Sequence, residues 1–330
     1  MSKAAETPVY VVSDVHGHRD ILVASLERAG LIDGDGRWSG GKTRLWFLGD
    51  LFDRGTDGVG VVELLMRLAG EAEDAGGMVD TLLGNHEILM LGARRFGDEE
   101  VDVGDGGPRN FRMWWHLNGG QDDDVARLSK SQVMWLQARQ VIAYESDHLL
   151  VHTDTVEYGA YGRSINAVNR NVRKILRSDD FAKWWGLFRD LTIRHRFEAE
   201  DGPAQAAAML DFFGGSQIVH GHSTIPDRLG IPGDEVVGPR RYCDRLCLCV
   251  DGGIYQGGPC LVVPLPVPDD MVQPDPVDDE DVVDGEPEDD ERTDEDSAPD
   301  DTETVVADRA LDHSGTAAGR RIGGQSRQFA

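Results

Sequence analysis

Gly49-Asp50-Leu51-Phe52-Asp53-Arg54-Gly55 follows directly on the apolar run Leu45-Trp46-Phe47-Leu48. That run reads as a buried strand stopped by glycine. Asp50 therefore stands at a strand end, the ligand-facing edge of an open α/β sheet. Two further clusters occupy matching places: Ser13-Asp14-Val15-His16-Gly17-His18 after the apolar 9–12 run, and Gly84-Asn85-His86-Glu87 after 79–83. Three strand tips carrying carboxylate, imidazole and amide donors predict a metal site with Asp50 at its centre.

Working outward, helices are expected over about 18–29 and 58–75, each with a 3.6-residue apolar stripe and each stopped by glycine. The resulting β-α-β-α-β rhythm predicts a parallel sheet covered by helices. Residues 98–108 form an acidic, glycine-rich loop, and 111–117 is expected to be a helical cap near the site, its Trp114-Trp115 pair serving packing. The strand 148–151 delivers His152, helices dominate 165–211, and a short strand at 218–219 ends in His220-Gly221-His222. A final pair of strands is expected at 246–250 and 260–263; the first alternates its side chains, which suits free buried thiols better than a zinc or redox pair.

The 330 residues carry a net charge of −27, unevenly spread. Between Asp269 and Asp312 there are 21 acids, against five arginines from residue 266 onward, so this segment holds 16 of the negative charges. Such a composition buries too little apolar surface to order itself. Residues 1–265 are accordingly expected to be one catalytic domain and 266–330 an acidic, disordered tail suited to a basic partner. Nucleic acid is not expected as a partner. No apolar run is long enough to cross a bilayer and no secretion signal opens the chain, so a cytoplasmic protein without a membrane partner is expected.

Asp14 and His16 can share one divalent cation, and Asp50 can bridge to a second, held also by Asn85, His152 and His222. Two such ions, about 3.5–4 Å apart, keep a bridging hydroxide reactive and draw charge from phosphoryl oxygens during attack on phosphorus. Arg54 offers a planar fork to phosphate. His86 is placed to protonate a leaving alkoxide, with Asp53 behind its imidazole.

The three motifs, in this order and spacing, resemble the calcineurin-like metallophosphoesterase superfamily. The Arg54-Gly55 ending and Glu87 are similar to its phosphoprotein-phosphatase branch, bacterial members included. The resemblance runs from the first strand to about residue 263. It implies an α/β fold of two mixed β-sheets in a sandwich flanked by helices. It also implies two metal ions, manganese foremost, with iron or zinc as alternatives. By that resemblance Asp14, His16 and Asp50 bind one ion and Asp50, Asn85, His152 and His222 the other. The implied substrate is phosphoserine or phosphothreonine in a protein, or a small phosphate ester, met by Arg54, Asn85 and a second arginine for which Arg189 is the nearest match and Arg163 another candidate. A hydrolase of diadenosine tetraphosphate is the alternative, and a binding module that lost catalysis a third. The chain departs from the family at His152-Thr153-Asp154, where glycine usually follows the histidine; Asp154 is then an extra ligand or a brake on anions. At His220-Gly221-His222, His222 alone is expected to bind metal.

Overall fold

In the computed structural model, residues 7–102 and 107–274 are described; the acidic segment from 275 onward and its expected disorder lie outside them. Strands β1 (Val9–Val12), β2 (Arg44–Phe47) and β3 (Met78–Thr81) alternate with helices α1 (Arg19–Arg28) and α2 (Gly58–Asp74). They pair in parallel with Val12, Phe47 and Thr81 abreast, so the three motif-bearing tips emerge side by side. Asp57 caps α2, its carboxylate accepting from the Gly60 N–H at 3.1 Å. The cap fixes where the central loop ends and the helix begins.

Helix α3 (Asn85–Phe96) starts on the third motif itself. A short antiparallel pair follows, β4 (Glu100–Asp102) and β5 (Pro108–Asn110), then α4 (Phe111–Leu117), α5 (Asp122–Arg127) and α6 (Lys130–Gln137). The second half contributes β6 (Ile142–Glu145), β7 (His148–Val151), α7 (Ile165–Leu176), α8 (Phe181–Asp190), α9 (Gly202–Phe213), β8 (Gln217–His220), α10 (Ile225–Leu229), β9 (Arg240–Tyr242), β10 (Cys247–Cys249) and β11 (Val263–Leu265).

The strands form two principal sheets, ordered β11-β1-β2-β3 and β6-β7-β8-β10-β9. Both are mixed: β11 pairs antiparallel with β1, while β7 and β8 are parallel. Alternation along each strand separates two apolar layers. Val9, Val11, Trp46, Leu150, Val219 and Leu248 meet in the layer between the sheets. Their neighbours Val12, Phe47, Leu149, Val151 and Ile218 join the layer shared with the helices. The two-sheet sandwich with outer helices is thus the fold the motifs implied. Packing continues past residue 265, with Val267 and Gln273 both buried. All four cysteines are free. No helix among the described residues is long and apolar enough to cross a membrane.

Trp114 does serve packing: its ring meets Trp185 edge-on, within a cluster of Phe96, Phe111, Phe181 and Trp184 that joins α3, α4 and α8. Behind α2, Asp124 is buried with one carboxylate oxygen 3.4 Å from the Val59 N–H and the other lacking a partner. Burial, and then the charge of Asp53, pushes the Asp124 carboxyl up to about 6. Its folded pKa therefore exceeds the unfolded value of about 3.9. The folded state holds the proton longer, so Asp124 costs stability progressively as pH rises between those values, and fully above them. Asp124→Asn is expected to stabilise the protein by about 1–3 kcal/mol at pH 7.5, with the gain vanishing near pH 4. Denaturant midpoints at the two pH values check this.

Candidate metal centre

The site is assembled where strands end. The backbone leaves β1, β2 and β8 through left-handed conformations at His16 (φ 45°), Asp50 (φ 53°), Asp53 (φ 70°), Arg54 (φ 65°) and His222 (φ 64°). Side chains rarely tolerate this region, and such strain persists only where the surroundings over-determine it. At Asp50 that determination comes from Glu87. Its buried carboxylate accepts from the Gly84 and Asp50 N–H groups (2.7 and 2.8 Å) on one oxygen and from Leu51 N–H (2.7 Å) on the other. Burial, then the nearby charge of Asp50, pushes its carboxyl up to about 7. Gly84 is required as glycine: a Cβ there would collide with Asp50 Oδ1 and stand 2.7 Å from His152 Nε2.

Donor atoms of Asp14, Asp50, His152 and His222 lie within 4.8 Å of one another, as do those of His16, Asp50 and His86. Asp50 belongs to both groups. His152 Nε2 is 3.2 Å from Asp50 Oδ1 and 2.9 Å from Asn85 Oδ1. His16 Nε2 stands 3.9 Å from Asp14 Oδ2 and 3.8 Å from Asp50 Oδ2. Asp14 therefore faces both groups.

The donor set fits a pair of divalent cations. His152 and His16 engage the Leu48 and Phe52 carbonyls through Nδ1, each at 2.9 Å. His222 engages the Thr192 carbonyl through Nε2 at 3.2 Å. Each contact fixes one ring nitrogen as the donor and leaves the lone pair of the other for a ligand, the outer-shell arrangement of metal-binding histidines. The electrostatics agree. Burial alone would lower the His152 pKa, but the charges of Asp50, Asp14 and Glu87 push it up to about 9. The carboxylates of Asp50, Asp14 and Glu87 thus set up a negative potential at the His152 ring, which a bound cation would relieve.

Beside the cluster, His86 Nδ1 and Asp53 Oδ2 are 2.7 Å apart, and His86 Nε2 faces Asp50 Oδ2 at 3.8 Å. Burial opposes charge on the His86 ring, yet Asp50 and Asp53 together hold its pKa above the ordinary value. Asp53 is anchored by the Trp115 Nε1–H, which donates to Oδ1 at 2.7 Å. The guanidinium of Arg54 lies 3.8 Å from the centre of the Tyr255 ring, which in turn meets His16 edge-on.

The structure also places Asp154, Thr153, His220 and Arg189. Asp154 is turned away from the cluster: its carboxylate accepts from Ser223 Oγ and from the His195 N–H, both at 2.7 Å. The glycines missing after His152 are compensated by the Tyr158 hydroxyl, which accepts from the His152 and Thr153 N–H groups at 3.1 Å each. Both ring nitrogens of His220 are engaged, with the Tyr242 hydroxyl (2.8 Å) and the Gly221 carbonyl (2.9 Å), so it stands outside the donor groups. Arg189 is not brought to the site: its side chain is 56% exposed and lies 3.8 Å from Asp190. It sits on the outer face of α8, whereas Arg194, past the end of that helix, is the arginine whose charge, after burial, depresses the His222 pKa. Sequence reasoning also passed over Asp251, a buried carboxylate with Oδ2 unpartnered and a pKa raised by burial and then by Asp14. Its signal was present, since Asp251-Gly252-Gly253 follows an apolar strand as the other site aspartates do.

Glu87→Gln leaves one acceptor oxygen for three N–H groups and turns an amide donor against one of them. A loss of about 2–4 kcal/mol in stability and weaker cation uptake are expected, read by denaturant unfolding and by metal titration calorimetry. An unchanged midpoint would remove Glu87 from its anchoring role.

The calcineurin-like phosphoesterase family model matches residues 7–226. Shewanella-like protein phosphatase 2 of Arabidopsis thaliana is 35% identical over 113 residues, covering 33% of this chain and 27% of its own. A symmetrical bis(5'-nucleosyl)-tetraphosphatase of Dechloromonas aromatica is 25% identical over 186 residues, 54% of this chain and 55% of that protein. The chain thus spans between about a quarter and about half of the length of these relatives. Among solved structures, the cold-active protein-tyrosine phosphatase of a psychrophilic Shewanella species superposes with a TM-score of 0.59 at 26% identity, covering 78% of this chain and 75% of that one. With two thirds of its length matched by the family model and its strand-tip motifs gathered around one carboxylate, this chain belongs to the calcineurin-like phosphoesterase family.

Proposed function

We propose that the protein is a phosphoprotein phosphatase that hydrolyses phosphate monoesters with two divalent cations, manganese foremost. The observation that carries this reading is the His86–Asp53 pair standing beside the Asp50 donor cluster, with Nε2 directed toward it. Asp14, Asp50, Asn85, His16, His152 and His222 would hold the cations. When bound, these supply Lewis-acid charge for the phosphoryl oxygens and make a water molecule nucleophilic at neutral pH.

The chain's own residues do the rest. Arg54 directs a planar, permanently charged fork at two phosphate oxygens. Its left-handed backbone, tied by its N–H to the Gly119 carbonyl at 2.9 Å, limits where that fork can reach. Arg194, close enough to His222 to depress its pKa, adds a second positive charge at the rim. His86 holds a proton on Nε2 for the leaving oxygen, while Asp53 accepts from Nδ1 and stabilises the charged ring. Trp115 keeps Asp53 aligned for that task.

Substrate class follows the relatives named as protein phosphatases, one by sequence and one by structure. The second reading, hydrolysis of diadenosine tetraphosphate, is favoured by the longer sequence match to a tetraphosphatase. Turnover of a phosphopeptide and of the dinucleotide by the manganese-loaded protein separates them, and clear preference for the dinucleotide overturns the first. Asp50→Asn is expected to abolish turnover and metal uptake together. His86→Ala is expected to lower kcat by about 10²–10⁴-fold with metal content unchanged, as measured by elemental analysis.

A further inference from the structure

Helix α7 has two unlike faces. Val168, Asn169, Val172 and Leu176 are buried. The opposite side presents Asn166, Arg170, Arg173, Lys174 and Arg177, at spacings that bring them onto one face. These residues line a groove of about 570 Å³. Among the described residues none of the four cations lies against a carboxylate, on a chain whose net charge is −27. Cations near a helix C-terminus offset its dipole, which accounts for Arg173, Lys174 and Arg177. That effect does not account for Arg170, nor for a groove between the side chains.

The groove does not end at the helix start. Asn166 also lines a second hollow of about 540 Å³, bounded by Ile165, Phe212, Phe213, Tyr144 and Trp46. Tyr144 is 49% exposed, and the rings of Phe212 and Phe213 are half-buried. The acid at this end, Glu145, is already held by Arg44 Nε (2.8 Å) and Trp46 Nε1 (3.0 Å). One end of the surface therefore groups aromatic side chains beside a carboxylate already ion-paired, and the other is cationic with no carboxylate among its described lining residues.

We infer that this surface docks an acidic segment of a partner polypeptide, with an aromatic or aliphatic side chain seated in the hollow by Phe212 and Phe213 and its carboxylates along α7. The cationic stretch from 166 to 177 is roughly 16 Å long, the span of about five extended residues. A nucleic-acid strand is the poorer match, because its binding sites interleave aromatic rings with cations along the groove, whereas here the rings are grouped at one end. A short peptide with an apolar anchor also has a source of affinity besides charge. On the phosphatase reading, such a groove selects phosphoproteins by an acidic stretch away from the phosphorylated residue.

The test is fluorescence anisotropy of a labelled peptide of alternating Glu and Asp ending in phenylalanine, titrated with the full chain at low salt. Saturable binding is expected, weakened at least tenfold by the pair Arg170→Glu and Arg173→Glu, and weakened again when the terminal phenylalanine becomes glycine. Should that pair unfold, Lys174→Glu with Arg177→Glu, both exposed, gives the same readout. No saturable binding, equal binding by the charge-reversed proteins, or tighter binding of an oligothymidylate of equal charge overturns the proposal. In a second arm, the charge-reversed protein should show a raised KM and unchanged kcat on a phosphopeptide extended by the acidic run, and unaltered para-nitrophenyl phosphate turnover. Binding without turnover of any phosphate ester would sink the phosphatase reading and leave the groove standing.

Discussion

The buried carboxylate of Glu87 holds the site together. It collects three main-chain N–H groups, from Gly84, Asp50 and Leu51. Those groups belong to two different strand ends, so a single side chain fixes the distance between the second motif and the third. A carboxylate can accept all three bonds at once because both oxygens accept and neither needs to donate. Without it, the turn that holds left-handed Asp50 would lose two of the bonds that oppose its relaxation. The negative charge needed to grip the backbone also deepens the electrostatic excess that favours cations. Scaffold and chemistry therefore share one residue.

Histidine orientation extends the same logic outward. His16 and His152 point inward because main-chain carbonyls take Nδ1, and His222 because a carbonyl takes Nε2. The acceptors come from different segments: Phe52 in the central loop, Leu48 at the end of its strand, and Thr192 beyond α8. The centre thus depends on the correct docking of both halves of the sandwich, and it cannot form in either half alone. That dependence follows from the topology, since β1, β2 and β3 belong to one sheet and β7 and β8 to the other.

Much of this is legible in the sequence. Apolar runs ending in Asp-x-His-Gly, Gly-Asp-x-x-Asp-Arg-Gly and Gly-Asn-His-Glu marked strand tips, and parallel pairing brings tips together. Other features were hidden for physical reasons. Helix α3 escaped because residues 85–93 are buried on every side, which removes the periodic stripe that announces a surface helix. Arg189 and Arg194 could not be told apart, because both positions have the same local sequence character; only the chain path past α8 leaves Arg189 exposed and brings Arg194 near His222. The fate of Asp154 could not be read either, since its partners Ser223 and His195 are distant in sequence. Asp251 carried the right local signal but lay far from the motifs that drew attention.

Two residues beyond His152, Asp154 ties down both Ser223, next to His222, and the turn after Arg194. One acid thus couples two inward-facing imidazoles to the loop that bears a rim cation. A hinged cover that swung this loop aside would have to break those bonds and expose the acid. On this side the mouth therefore keeps its shape through a buried acid that itself stands apart from the donor groups.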